Sequence, residues 1–547
     1  MSFKNIKSVI VLLSIFGLYS CAKNQLVTPE NFYFKTVTIN GVQSGGFYAN
    51  GIGLRPVVDF SFSVPIDKAT ASRHISLFEK GTSETPDLEI SFKNKDSIVS
   101  VTPKTNLKGI TEYNLVVSGL LCSSKQNKLL QPIKLGITTG LDTSDKYPRI
   151  SDEQLLDLVQ RQTLKYFWDF AHPVSGLARE RNTSGDICTS GGTGFGIMAL
   201  CVGAERRFLE REDVYFRLIK MTEFLLNKAE VHHGAFSHWL NGETGKTVPF
   251  STFDNGGDLV ETSYLIQGLI TARQYFDQPS EKALRDNINK IWERVEWSWY
   301  TRGEDNLYWH WSPNYEWKMN MPIRGWNECL ITYFLAAASP TYPINKTVYE
   351  NCWVNSNYFN NGKTFYGVKL PLGFDYGGPL FFSHYSFLGL DPRNLTDKYA
   401  NYWEQNMAHT KINYLYCVNN PKYFPAYGLD CWGLTASDSY NGYAAHSPTE
   451  DLGVISPTAA ISAMPYMPQE SMKALRFFYY KLGDQLWKNH GFVDAFDLSH
   501  KWFAGSFLAI DQGPIVIMIE NYRSGLLWKK FMAAPEVKVA KGTLGFK

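Results

Sequence analysis

A surplus of charge of either sign is missing from this chain: 54 Lys and Arg stand against 52 Asp and Glu, a formal +2 over 547 residues. That balance removes the electrostatic basis for a nucleic-acid or acidic-polymer partner. It also counts against a polysaccharide lyase, which needs basic side chains to neutralise a uronate. No HExxH occurs, and His232, His233 and His238 lack a third-ligand spacing, so these histidines read as structural or sugar-binding and no metal is expected. GxSxG is absent, which removes the commonest serine-hydrolase cue. The Gly-rich stubs follow no strand and carry no Lys-Ser/Thr partner, so no phosphate cradle and no cofactor are expected. CxxC is missing too. Beyond Cys21 the seven cysteines form an odd set, which argues against a complete disulfide framework. Cys201 and Cys329 fall inside apolar helical runs and read as core; Cys417 and Cys431 fall in one irregular loop, with no pairing expected of them.

The N-terminus is patterned as a targeting segment. Lys4 and Lys7 precede the apolar run VIVLLSIFGLYS, which ends at Cys21 in the arrangement of a bacterial lipoprotein signal. The run is too short for a mature membrane span. Acylation of Cys21 is therefore expected to tether the protein to a membrane of the cell envelope, on the periplasmic side of the inner or outer membrane or at the cell surface. The expected order is a signal peptide over 1–20, a tether over 21–31, a sandwich over 32–140, a linker over 141–150 and a large helical domain over 151–547. The 32–140 stretch carries short β-branched runs such as VVDFSFSV, ISLFEK, DLEISFK and YNLVVSGL between Gly, Pro, Asn and Asp turns. Such spacing reads as a small all-β immunoglobulin-like sandwich.

The rest of the chain repeats one arrangement six times, a Gly- or Pro-bearing polar stub followed by an apolar helical run, beginning at Thr189, Phe253, Ile323, Gly373, Thr449 and Ile510. Amphipathic segments precede or separate them at 152–170, 211–228, 280–299, 346–355, 397–410 and 469–487, and Ser151 stands as a cap before the first. An apolar helix buries itself on all sides, and an amphipathic one covers it from outside. Alternating inner and outer helices close into an all-α (α/α)6 toroid. The inner helices start at their stubs, so one face is expected to gather Asp254, Asp258, Glu261, Glu328, Asp375, Glu450, Asp451 and Asp511. Aromatic residues make up 15% of the chain, more than a helical core needs, and rings of this kind read the flat faces of neutral sugars.

Among the stubs, Phe253–Thr262 is the richest. Asp258 and Glu261 share a helix face with each other and with Asp254 if the turn extends back. Their spacing also fits a capping box. Gly256 and Gly257 are expected to let the backbone approach something closely. Glu328 opens an apolar helix beside Trp326, where partial desolvation would raise its pKa toward that of a general acid. Asp511 precedes Pro514, which suits a first helical turn. Two carboxyls flanking a glycosidic bond are what its hydrolysis requires.

Taken in order, YFWDFAHPVSGLARER (166–181), GGTGFGI, DNGGDLVETS, RQYF, RGWNE and IDQGPIVIMIENYRSGLLW resemble the bacterial glucoamylase-like proteins, and more closely glycoside hydrolase family 144, the endo-β-1,2-glucanases. The resemblance covers about 150–535. It implies an (α/α)6 fold and an inverting attack on β-1,2-glucan that releases short oligosaccharides such as sophorose. The family's functional acids carry over onto Asp254, Asp258, Glu261, Glu328 and Asp511. Glu328 is assigned as general acid and Asp511 as general base, with the other three binding sugar hydroxyls or completing a proton path. Phe167, Trp168, Arg179, Arg181, Trp239, Trp309, Trp311, Trp326, Trp432 and Trp502 are candidate subsite residues. The chain is expected to act as a monomer on a neutral glucan. The alternatives are an exo-acting or other-linkage glucanase, and a non-catalytic glycan-binding lipoprotein.

Overall fold

The computed structural model describes residues 31–547, so the expected signal peptide, Cys21 and all but the end of the tether lie outside the described residues. The chain divides into two compact units, one ending at Asp142 and the other running from Thr143 to Lys547.

The first unit is a two-sheet sandwich. One antiparallel sheet runs in the order Val42–Gln43, Phe34–Ile39, Val58–Phe62, Ile98–Pro103 and Leu88–Lys93. The other runs Tyr48–Ile52, Ile133–Thr139, Glu112–Val117 and Ile75–Glu79, with its first pair parallel. Alternate residues of each strand point inward, and Phe60, Val99, Val101, Leu115, Val117 and Leu135 form the buried layer between the sheets.

The second unit is a helical toroid. Its innermost helices have no polar face: every residue from Ser190 to Ala204 in the helix Ser190–Glu205 is buried, as are nearly all of the helix Leu259–Tyr275. These two helices meet backbone to backbone at Gly194 and Gly268, where a Cβ on either would overlap the other's main chain. The helix Ala509–Arg523 packs on Ser190–Glu205 from the other side, with Gly513 against Phe195, and thereby closes the ring. Leu330–Ala338 and the short helix Pro457–Ser462 fill further inner places. Outside lie Asp152–Trp168, Arg211–Asn227, Lys282–Glu293, Tyr402–Asn419 and Pro468–Arg476. Ser151 caps the first of these in a reciprocal box with Gln154.

The inner run beginning at Gly373 is not a continuous helix. Three 3-10 turns, Asp375–Gly377, Leu380–Ser383 and Tyr385–Leu388, take its place. The cause is local: Tyr376, Gly377 and Gly378 all have positive φ, Pro379 follows, and a Cβ on Gly377 would occupy the His409 ring. The outer segment at 346–355 shortens to one α turn, Lys346–Val348, and a π-type turn, Tyr349–Val354. Cys417 sits within the helix Tyr402–Asn419 rather than in a loop, and Cys417 and Cys431 are both free and buried.

Candidate active site

The runs that begin at Thr189, Phe253, Ile323, Gly373 and Ile510 reach a cavity of about 390 Å³ in the helical unit, whereas the run at Thr449 does not line it. Glu261, Glu328 and Glu180 supply its carboxyls, Arg181 and His238 its other charged groups, and Trp239, Phe250, Trp309, Phe381, Tyr385 and Tyr443 much of its wall. Flat rings around a few convergent polar groups are the composition of a sugar-binding pocket.

One wall is built on the N-terminus of Leu259–Tyr275. Asp258 is its N-cap, accepting from the N–H groups of Val260 at 3.0 Å and Glu261 at 2.9 Å. The capping box is only half formed, because the Glu261 carboxylate turns away and accepts from Gly191 N–H at 2.8 Å and Thr189 Oγ1 at 3.2 Å. The strand Gly257–Asp258 pairs with His310–Trp311, which makes His310 the cross-strand neighbour of Asp258. His310 Nε2 lies 3.1 Å from Asp254 and 3.4 Å from Asp258, and His238 Nδ1 lies 3.1 Å from Asp258. Burial by itself pulls the His310 pKa down, but the two aspartates outweigh it and hold the ring at about 10. For His238, burial is likewise overcome by the charge of Glu261 and the Asp258 hydrogen bond, and the pKa stands at about 9. Burial would push Asp258 up, yet hydrogen bonds to the two histidines hold it well below the carboxylate range. Asp254 and Asp258 therefore form a buried two-by-two ion cluster with two imidazolium rings. His238 alone of the four lines the cavity, backed by Phe250 stacked on it at 4.2 Å.

His238, Asp254 and Asp258 bring potential ligand atoms within 4.8 Å of one another, but the same atoms are satisfied by the ion pairs. The close approach at Gly256 and Gly257 is to protein. A Cβ on Gly256 would meet the Trp311 carbonyl, and one on Gly257 the Tyr300 hydroxyl.

Glu328 sits in the turn ahead of the helix Leu330–Ala338 rather than within its first turn. Its carboxyl is enclosed by protein except where it faces the cavity. Burial pushes its pKa up to about 7, with the charges of Glu261 and Asp258 adding in the same direction. Burial also raises Glu261, and Asp258 adds to the rise against the opposing charge of His238.

The far wall comes from the start of Ala509–Arg523 and from the hairpin Ala436–Ser439 with Gly442–Ala445. Asp511 is buried there and does not line the cavity; Leu508 and Ile510 do. Its carboxyl neighbours that of Asp494, and Asp511 Oδ2 and Asp494 Oδ1 are buried with no hydrogen-bond partner. Burial pushes both acids up, and their charges act on each other in the same sense. Arg181 pairs with Glu180 at 2.9 Å and with Asp438 at 3.0 Å, and Asp438 N–H donates to Asp494 at 2.7 Å.

Several expected subsite residues lie elsewhere. Trp326 is fully buried among Trp353, Phe387 and Tyr402, because its side chain turns into the core behind Glu328. Trp432 is core as well, with its Nε1 donating to the Glu470 carbonyl at 3.4 Å. Arg179 lies over the Phe170 ring and donates to that residue's carbonyl, while its neighbours Glu180 and Arg181 reach the cavity. Trp311 packs edge-on against Trp299 and His233, and Trp502 stands in a two-residue strand paired with Phe496–Asp497; neither lines the cavity. Phe167 is buried, and Trp168 stacks under Arg217. Of the rim acids, Asp375 is half-exposed and bound to Lys363 at 2.9 Å, and Glu450 is exposed. Asp451 is buried and accepts from Tyr416 at 2.9 Å and Tyr427 at 2.8 Å. Trp239, Trp309, Arg181, Glu261 and Glu328 meet at the cavity. Sequence reasoning missed Glu180, His310, Asp494, Tyr385 and Tyr443. The only signal was the place of Glu180 inside the SGLARER run.

The chain is similar to known proteins. The Glycoamylase family model, described as a putative glucoamylase, matches residues 320–535. An endo-β-1,2-glucanase from Chitinophaga pinensis, solved with sophorotriose and glucose, is 52% identical over 73% of this chain and 99% of its own, with a TM-score of 0.71. The chain belongs to this glucoamylase-like family, glycoside hydrolase family 144. A family relative from Parabacteroides distasonis, an exo-β-1,2-glucooligosaccharide sophorohydrolase acting at the non-reducing end, is 48% identical over 418 residues, or 72% of this chain. The chain spans 58% of that curated relative's length. A β-1,2-glucanase structure from Parabacteroides distasonis is 38% identical over 93% of this chain and 73% of its own, with a TM-score of 0.71.

Proposed function

We propose that this protein hydrolyses β-1,2-glucan to short β-1,2-linked gluco-oligosaccharides with inversion at the anomeric carbon. The observation that carries the reading is the Glu328 carboxyl, raised to about 7 and facing an aromatic-walled cavity, where it keeps a proton to far higher pH than an ordinary carboxyl, as a general acid must. The family relatives that act on β-1,2-glucan support the linkage.

In this reading Glu328 protonates the leaving glycosidic oxygen while water attacks the anomeric carbon from the opposite face, its proton passing to the Asp511 side. Trp239 and Trp309 stack on glucose rings. Glu261 and the His238 imidazolium bond sugar hydroxyls, with Asp254 and Asp258 keeping His238 charged and oriented. The protein acts as a monomer. The first unit is an immunoglobulin-like domain, which its two-sheet order supports, and Cys21 is acylated so that both units are held on a cell-envelope membrane.

Incubating the protein separately with linear β-1,2-glucan, laminarin and amylose tests this. Short oligosaccharides from the first alone, released as the α-anomer by NMR, are expected, and the order in which product lengths appear reads endo against exo action. Binding of β-1,2-glucan without cleavage would move the assignment to a glycan-binding protein.

A further inference from the structure

Behind the far wall of the cavity lies an acid that the sequence motifs do not single out. Asp494 lies between the strands Gly491–Phe492 and Phe496–Asp497 and is tied down at both ends of the residue. Its N–H donates to the Ser506 carbonyl at 3.0 Å, and its Oδ2 accepts from Asp438 N–H at 2.7 Å. The remaining oxygen, Oδ1, is buried with no N–H or O–H donor, and so is Asp511 Oδ2. The two carboxyls meet each other. Two ionised carboxylates repel each other in a buried site, whereas one proton shared between the two carboxyls relieves the repulsion and supplies a donor where two oxygens have none.

We propose that the proton acceptor on this wall is not Asp511 by itself but a pair that shares one proton, in which Asp494 is the positioning residue for Asp511. The inference rests on the hydrolase reading above. The surroundings favour a retained proton. Burial pushes both acids up, and Asp438 and Glu180 add negative charge, while Tyr385 and Tyr443 face Asp511 without supplying a cation. Arg181 is the cation acting on Asp494, and it is already bonded to Glu180 and Asp438.

The step balances without another reactant. The bond from water oxygen to the anomeric carbon forms as the glycosidic bond breaks, and the leaving oxygen takes the electron pair and the Glu328 proton. Water's proton passes to Asp511 while the shared proton sits on Asp494. The pair, then neutral, returns one proton through solvent to Glu328.

The test compares wild type, Asp494→Asn and Asp494→Glu in two measurements. On the acid limb the pair passes between neutral and one negative charge with Asp494 protonated, so Asp494→Asn exchanges an O–H donor to the Asp511 carboxylate for a weaker amide N–H donor, and the acid limb of kcat/KM is expected to move to higher pH. The same variant is expected to lose about 100-fold in kcat, with recovery in Asp494→Glu. Infrared difference spectra of the full chain without substrate, wild type minus variant, are expected to show a protonated carboxyl band at neutral pH that is lost in Asp494→Asn and in Asp511→Asn, with the Glu328 band common to all three cancelling. An acid limb that stays in place, or difference spectra in which neither substitution removes a band, overturns the proposal. If Asp494→Asn does not fold, Asp511→Asn decides it by the infrared band. Failure of wild type to cleave β-1,2-glucan sinks the hydrolase reading, and the band still reports whether the two aspartates share a proton.

Discussion

At the scale of single residues, the site is governed by which carboxyls keep their protons. Glu328 carries the clearest consequence. Replacing it by Gln is expected to lower kcat by about 100-fold or more while the melting temperature and glucan binding hold, since the group acts on a proton in the transition state. A near-normal rate in Glu328→Gln would remove it from the mechanism. Because the general acid works only when protonated, kcat/KM for wild type is expected to fall as pH rises through about 7, which a pH-rate profile reads directly. The two imidazoliums give a prediction about stability. Their folded pKa values, about 9 for His238 and about 10 for His310, lie above the ordinary histidine value. Their stabilisation is therefore complete below about 6.5 and is lost as pH rises through 9 to 10. Thermal melts across that range are expected to show the loss, and His310→Gln to show less of it. The sequence disclosed Asp258 and Glu261 as a pair on one face. It did not disclose that one of them is a cap and the other reaches across to Gly191, because both uses have the same spacing.

At the scale of elements, alternation of apolar and amphipathic helices was legible because burial on all sides leaves a helix with no polar stripe. The glycines inside those helices were less so. Gly194 and Gly268 allow two buried helices to touch along their main chains. Introducing Ala at Gly268 is expected to destabilise the toroid by about 1–3 kcal/mol through overpacking, despite the better helix propensity of Ala, as measured by denaturant unfolding. An unchanged midpoint would mean that the two helices separate at little cost. The run at Gly373 shows where periodicity misleads. Its apolar residues recur at helical spacing, but Tyr376-Gly377-Gly378-Pro379 forces positive φ and a break, so the ring is completed there by 3-10 turns. Hydrophobic pattern reports which side is buried, and backbone chemistry decides the path.

At the scale of the molecule, each unit has a core of its own: the sandwich buries Phe60, Val101 and Leu135, and the toroid buries its inner helices. Residues 143–547 expressed alone are expected to fold and to retain turnover on β-1,2-glucan, tested by thermal unfolding and product chromatography. Loss of cooperative unfolding in that fragment would make the sandwich part of the fold rather than an addition to it. The sequence by itself determined the two textures, the helical ring, the family and the acids carried by its stubs, because periodicity, turn residues and local motifs are properties of neighbouring positions. Only the tertiary structure decided which aromatics face sugar and which face the core. A tryptophan at a stub has the same sequence whether its ring turns inward, as at Trp326, or lines the cavity, as at Trp309. It alone brought Asp494 to Asp511 and His310 to Asp254. Contacts between distant segments fix the desolvation and charge that set a carboxyl's proton, and no local pattern encodes them.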